Sequence, residues 1–293
     1  MTRFFAAIVA AALLAACDGG GGAASGARPP SPALYEIAGP TGATEGWLFG
    51  TIHSLPDEIQ WRTDALDGVI QEARVLVVEV ANLGSGDEIG ASFNRLAQGS
   101  QSSHLRERIE PADRAALARL IEQSDTDERQ FYHLDTWAAA LALARSYGVG
   151  DPENGVDRAM LEEFSDRPVI ELEGAVHQFT LFDRLPEAEQ RDLLAAVVAD
   201  SRTGKTQALA RLEAWRAGDM AAMERETRQG LLADEELRKV LLVDRNLAWA
   251  NRIDELVPSQ PPMLVAVGAA HLPGEDGLVA LLERRGYTVT RIQ

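Results

Sequence analysis

Two stretches of this chain end an apolar run on the same arrangement: glycine, two residues, histidine. Trp47-Leu48-Phe49 leads into Gly50-Thr51-Ile52-His53, and Leu264-Val265-Ala266-Val267 leads into Gly268-Ala269-Ala270-His271. Neutral imidazole is the commonest metal ligand in proteins and a general base near neutral pH. Glycine permits a sharp bend or a close backbone approach as a strand ends. Each histidine is therefore expected just beyond the carboxyl end of a strand, where open α/β sheets hold their ligands. The chain has 25 glycines and 5 histidines in 293 residues. The product of those counts over the length gives about 0.4 chance matches to Gly-x-x-His. A third match, Gly174-Ala175-Val176-His177, lacks a comparable apolar lead-in. Two unrelated surface or capping histidines are the alternative reading of the first two.

Glu79 lies inside Val75-Leu76-Val77-Val78-Glu79-Val80. A carboxylate buried on such a strand costs several kcal/mol unless it is paired or binds a metal. A salt bridge to an arginine is one solution. Between two strand-end histidines, the other is the oxygen-plus-imidazole ligand mix of a divalent metal ion. Glu171 and Glu173 flank Leu172 and are expected on one side of the next strand end, where either can move a proton. Arg245 and Asn246 sit on a helical stretch and are placed to orient a carboxylate. Asp157, after Gly155-Val156, reads as a helix cap, and His104 and His133 fall in polar stretches with no assigned role. The sequence has no Gly-x-Ser-x-Gly elbow, phosphate-binding glycine loop or dinucleotide fingerprint.

Apolar periodicity defines the elements that must position these groups. Ala33–Ala38 and Gly46–Thr51 read as a hairpin around Gly-Pro-Thr-Gly. Arg62–Ala73 carries a helical stripe, and Val75–Val78 is a buried strand. Helices are expected over Pro111–Gln123, from an Asp135 cap to Ser146, and over Gly155–Phe164. Pro168–Leu172 returns to strand. From Ala175 to Val257 the pattern is helix after helix, with breaks at Leu185-Pro186, Arg202–Gly204, Gly218 and Gly230. Met263–Val267 is a second buried strand, Gly274–Arg285 a helix and Tyr287–Ile292 a closing strand. The fold class is α/β (α+β): a small mixed sheet built from the N- and C-terminal segments, with flanking helices and a largely helical insertion.

Ahead of this domain, Arg3 precedes an apolar stretch from Phe4 to Ala16, too short to span a bilayer, that closes on Leu14-Ala15-Ala16-Cys17. Cys17 is the sole cysteine. The pattern resembles a bacterial lipoprotein signal, in which that thiol is lipidated. Residues 1–16 are then a signal peptide, 17–32 a lipidated cysteine and flexible linker, and 33–293 one domain. This implies a protein of the bacterial cell envelope, on the periplasmic side and held to a membrane by its lipid. The formal net charge is −17 with no basic run, which argues against nucleic acid as a partner.

LFGTIHSLP near the start and VAVGAAHLPGEDGLVALLERRGYTV at the end resemble the two signature segments of the TraB/PrgY/GumN family. VLVVEVAN, GVDRAMLEEF with VIELEGAVHQ, and DRNLAWANRI are similar to its intermediate blocks, in order. The family includes the animal TIKI proteins, membrane-anchored proteases dependent on manganese or cobalt. It is distantly similar to erythromycin esterases and to a haem-binding lipoprotein group. The resemblance implies His53, Glu79 and His271 as metal ligands, with Gly50 and Gly268 as the motif glycines. It places Arg245 and Asn246 on the family's Arg-Asn block, and Glu173 and Gln178 on a Leu-Glu-Thr…Gln block. Gly174 replaces that threonine, and His177 matches no fixed family histidine. The function expected is metal-dependent hydrolysis of a peptide or other small envelope substrate. The alternative is a non-catalytic envelope protein that binds a peptide, a haem or a glycan intermediate.

Overall fold

The computed structural model describes residues 29–82, 86–99, 103–124 and 126–293. The signal segment and Cys17 lie outside them. The first strands, β1 (Leu34–Ala38) and β2 (Thr44–Thr51), form the expected antiparallel hairpin. Helix α1 (Asp64–Glu72) follows, started by Thr63, whose hydroxyl accepts the Leu66 N–H. Strand β3 (Val75–Val78) is buried at every position. Helices α2 (Gly86–Leu96), α3 (Arg114–Gln123), α4 (Thr136–Ala144) and α5 (Val156–Glu163) lead to the short strand β4 (Val169–Glu171). Then come α6 (Ala175–Asp183), α7 (Glu187–Arg216), α8 (Met220–Glu226), α9 (Glu235–Arg238) and α10 (Asp244–Leu256). Strand β5 (Met263–Gly268), helix α11 (Leu278–Glu283) and strand β6 (Thr288–Arg291) close the chain.

The six strands form one mixed sheet in the order β4-β3-β5-β2-β1-β6. The first four are mutually parallel, so their carboxyl ends share one edge. β1 runs antiparallel to them, and β6, antiparallel to β1, is an edge strand whose residues are mostly exposed. N- and C-terminal segments thus meet in the sheet's centre, as the sequence pattern predicts.

Alternation decides which helices each face receives. Leu76, Val78, Leu264 and Ala266 face α1, α5 and the end of α7. Val75, Val77, Val265 and Val267 face α10 and α11. Burying both faces explains why β3 and β5 read as unbroken apolar runs. Each such side chain contributes roughly 1.5–3 kcal/mol relative to exposure. The insertion has its own core, built on Trp137, Phe93, Phe179 and the apolar face of α7.

Two expectations differ. The predicted break at Arg202–Gly204 is absent: α7 runs unbroken for 30 residues. A helical glycine costs about 1 kcal/mol, and packing on α4 outweighs it, with Gly204 itself buried. Asp135 occupies the N-cap of α4, yet its side chain makes no capping hydrogen bond.

Candidate functional site

Three neighbouring parallel strands deliver the three predicted ligands to one edge. β5 lies between β3 and β2, with Gly268 level with Thr51 and Ala266 level with Val78. His53 follows the end of β2, Glu79 the end of β3, and His271 the end of β5 in a single tight turn. They converge over Gly268. A β-carbon there would lie 3.2 Å from Glu79 Oε1, 3.5 Å from His53 Nε2 and 3.6 Å from His271 Cδ2. Glycine at this position leaves open the space the three groups face. Gly50 has a different reason: a β-carbon would press on Leu272 at 2.9 Å and Ala269 at 3.0 Å, against the turn that carries His271.

Both imidazoles are held from behind. His53 Nδ1 lies 2.7 Å from Asp157 Oδ2, and Asp157 Oδ1 accepts the Thr51 hydroxyl at 2.5 Å. His271 Nδ1 lies 2.5 Å from Asn246 Oδ1, while the Asn246 amide donates to the Asp276 carbonyl at 2.8 Å. That second bond fixes the Asn246 oxygen toward the ring, so His271 carries its proton on Nδ1. The Asp157 carboxylate imposes the same tautomer on His53. Each ring therefore turns Nε2 away from its anchor. Asp157 is thus more than a helix-start residue, and the sequence reading missed it. The available signal was its place in the GVDRAMLEEF block.

Glu79 is buried and fully engaged. Its Oε1 accepts the Gly268 N–H at 2.8 Å; its Oε2 accepts Arg245 Nη2 at 2.9 Å and Gln178 Nε2 at 3.3 Å. Arg245 also donates to Glu173 at 2.6 Å, stacks over Trp249 at 4.6 Å and reaches within 3.4 Å of His271 Nε2. A π-helical turn, Lys239–Val243, precedes α10. Such a turn shifts backbone pairing by one residue, and Arg245 Nη1 donates to the Leu241 carbonyl within it at 3.0 Å.

Burial raises the Glu79 pKa, with Arg245 and His53 opposing. Burial lowers that of His271, and the positive Arg245 adds to it, so the ring is held neutral. At His53 burial also acts downward, but the charge and hydrogen bond of Asp157 outweigh it and the pKa is raised.

These groups line one end of a cavity of about 230 Å³. Its floor is the sheet edge with His53, Glu79, Arg245, Gly268 and His271; α7, α8 and the turn Gly230–Ala233 roof it. The other candidates fall elsewhere. Glu173 does not line this cavity: its carboxylate accepts Arg245, Gln178 and the Trp249 indole. Glu171 accepts the Ala81 N–H at 2.6 Å and borders a separate cleft. The two acids thus serve different partners, although they are neighbours in sequence. His177, His104 and His133 are exposed.

The donor chemistry suits a divalent cation: two imidazoles anchored at Nδ1, as metal-binding histidines characteristically are, and a carboxylate around a position kept open by glycine. The spacing is loose. The donor atoms of His53, Glu79 and His271 do not all fall within 4.8 Å of one another; among the described residues only the surface acids Glu189, Asp192 and Asp234 do. Holding an ion requires the three to draw in and Arg245 to yield its contact with His271.

The sequence pattern of the TraB/PrgY/gumN family matches residues 33–291, from the first strand of the sheet to the last. The chain belongs to that family. Its relatives include the uncharacterized protein YbaP of Shigella flexneri, 26% identical over 250 residues, covering 82% of this chain and 89% of that one. YbaP of Escherichia coli (strain K12) is also 26% identical, over 244 residues, covering 80% of this chain and 86% of the relative. No solved structure matches. The TraB/PrgY/gumN match spans the strands that carry His53, Glu79 and His271 and the helical insertion that roofs them.

Proposed function

We propose that this TraB/PrgY/gumN protein is a metal-dependent hydrolase of the cell envelope, acting on peptide-type substrates in the cavity over the sheet edge. The observation that supports this reading best is the pair of Nδ1-anchored imidazoles on adjacent parallel strands, facing Glu79 across Gly268. His53, Glu79 and His271 would hold the ion. A bound divalent ion supplies Lewis acidity and a water of lowered pKa. Asp157 and Asn246 fix the ring orientations, and Asp157 also makes His53 Nε2 more basic. Glu173, with Gln178 and Trp249, holds Arg245 in place. Once Arg245 yields its contact with His271, one Nη1–H is left beside the open position, suited to a substrate oxygen that gains negative charge. The roof limits the access of bulk water, which strengthens each of these interactions.

The test is turnover of a peptide library by purified protein, with and without chelator and with manganese, cobalt or zinc restored. His53→Ala, His271→Ala and Glu79→Gln should each weaken metal binding and abolish turnover, while His177→Ala leaves both near the parent's. A second reading draws on Arg245, which already neutralises Glu79 and contacts His271 without any ion. In that reading the cavity binds a peptide, a haem or a glycan intermediate without turnover. It takes over if the parent binds no metal or if all three variants hold metal like the parent. The envelope location rests on the Cys17 pattern.

A further inference from the structure

The roof of the cavity carries polar groups that the sheet edge does not use. Arg211 and Asp200 are 11 positions apart on α7, close to three helical turns and therefore on one face. Both line the cavity that holds His53 and His271. The Arg211 side chain is only 14% exposed, and among the described residues its one hydrogen-bond or ion-pair partner is Glu226, at 3.3 Å from Nη1. A guanidinium has five N–H donors, and Arg211 Nε is buried without a partner. Asp200 is half-buried and makes no hydrogen bond or ion pair among the described residues. Burial pushes its pKa up, with Arg211 opposing and Glu226 adding to the rise. Beside them the same end carries the neutral polar residues Gln207, Thr227 and Gln229 and an apolar wall of Trp215, Met223 and Leu231.

Arg211 and Glu226 cancel as a pair, so the uncompensated charge on the roof is the Asp200 carboxylate. An anionic ligand would face two acids for one guanidinium. A purely apolar ligand would strip water from Asp200 and Arg211 and return no hydrogen bond in exchange. The complement is a group with a cation and, close by, a carbonyl acceptor. The free amino end of a peptide has both, in its α-ammonium and the carbonyl of its first peptide bond. We propose that the roof is a subsite for the free amino terminus of a peptide, with the ammonium on Asp200, the first carbonyl on Arg211 and the first side chain against the apolar wall. This rests on the reading that the cavity holds substrate, and it adds which end of the substrate is recognised.

The test compares binding of the tripeptide Leu-Ala-Leu and its N-acetylated form to the detergent-solubilised full chain, by calorimetry in chelator so that no turnover intervenes. The free peptide should bind at least about tenfold more tightly than the acetylated one. Asp200→Asn should remove most of that preference, leaving the acetylated peptide's affinity, the circular dichroism and metal binding unchanged. Equal affinity for the two peptides overturns the proposal, and the parent alone decides this should Asp200→Asn fail to fold. Binding of neither peptide also overturns it, as does a variant that keeps the preference. A preference for the free amino end, with no hydrolysis of either peptide in a separate turnover assay with metal restored, would sink the hydrolase reading and leave the subsite standing. Equal hydrolysis of both peptides would do the reverse.

Discussion

Removing the Asp157 carboxylate should disturb one histidine and leave the other alone. Asp157 and Thr51 are both buried, and His53 is partly so. Asp157→Ala strands two donors, the Thr51 hydroxyl and the His53 Nδ1–H. A stranded buried donor costs about 1–3 kcal/mol. The His53 side chain is 21% exposed, so water repairs part of its loss, and the expected destabilisation is about 2–4 kcal/mol. Asp157→Asn keeps an acceptor for His53, and the Thr51 hydroxyl can rotate to accept from the amide, so its cost should be about 1 kcal/mol. Urea unfolding of chelator-treated protein measures both. Because Asp157 outweighs burial and raises the His53 pKa, stability from the pair is fully present below the unfolded histidine value near 6.5 and declines as pH rises through the higher folded value. The Asp157 pKa moves oppositely: burial acts upward, but His53 and the hydrogen bonds pull it down. Its contribution is therefore lost only as pH falls below the usual carboxylate range, through the depressed folded value. The gap between parent and Asp157→Asn should be widest between about pH 4 and 6.5 and narrow above. Nitrogen NMR of the imidazoles should show His53 losing its single tautomer in Asp157→Ala while His271 keeps its own. An Asp157→Ala protein with the parent's urea midpoint and an unchanged His53 spectrum would refute the reasoning.

The two motif glycines should respond differently to alanine. Gly268→Ala places a methyl in the space faced by Glu79, His53 and His271; it should fold with a near-parental melting midpoint and lose metal affinity at least about tenfold. Gly50→Ala presses instead on Leu272 and Ala269, and its thermal midpoint should fall by an amount equivalent to about 1–3 kcal/mol. His271 is buried and held neutral, so the unfolded chain alone takes up a proton as pH drops below about 6.5, and stability falls with it; His271→Gln should flatten that acid-side loss in chelator-treated protein, as read by urea midpoints across pH. Cys17→Ser should release the protein from the membrane fraction or block its processing, and unchanged detergent-requiring association on fractionation would remove the lipid anchor from the proposal.

The alternation of apolar residues, period two in strands and near 3.6 in helices, was enough to place β1 to β6 and most helices. The Gly-x-x-His repeat and the acid on an apolar strand point to His53, His271 and Glu79 from the sequence alone. Those signals are local: they depend on which residues are adjacent along one element. Sequence could not show that β5 inserts between β3 and β2, because strand order is set by pairing between segments far apart in the chain. That order is what brings together groups up to 218 positions apart, from His53 to His271. The unbroken α7 was hidden for a related reason, since the packing that outweighs the Gly204 penalty comes from α4, far away in the chain. The partners of the site residues were hidden as well. Asp157 behind His53, Asn246 behind His271, and Glu173 on Arg245 are pairings between different elements. A carboxylate's role depends on what lies within 3 Å of it, and local sequence carries no record of that distance.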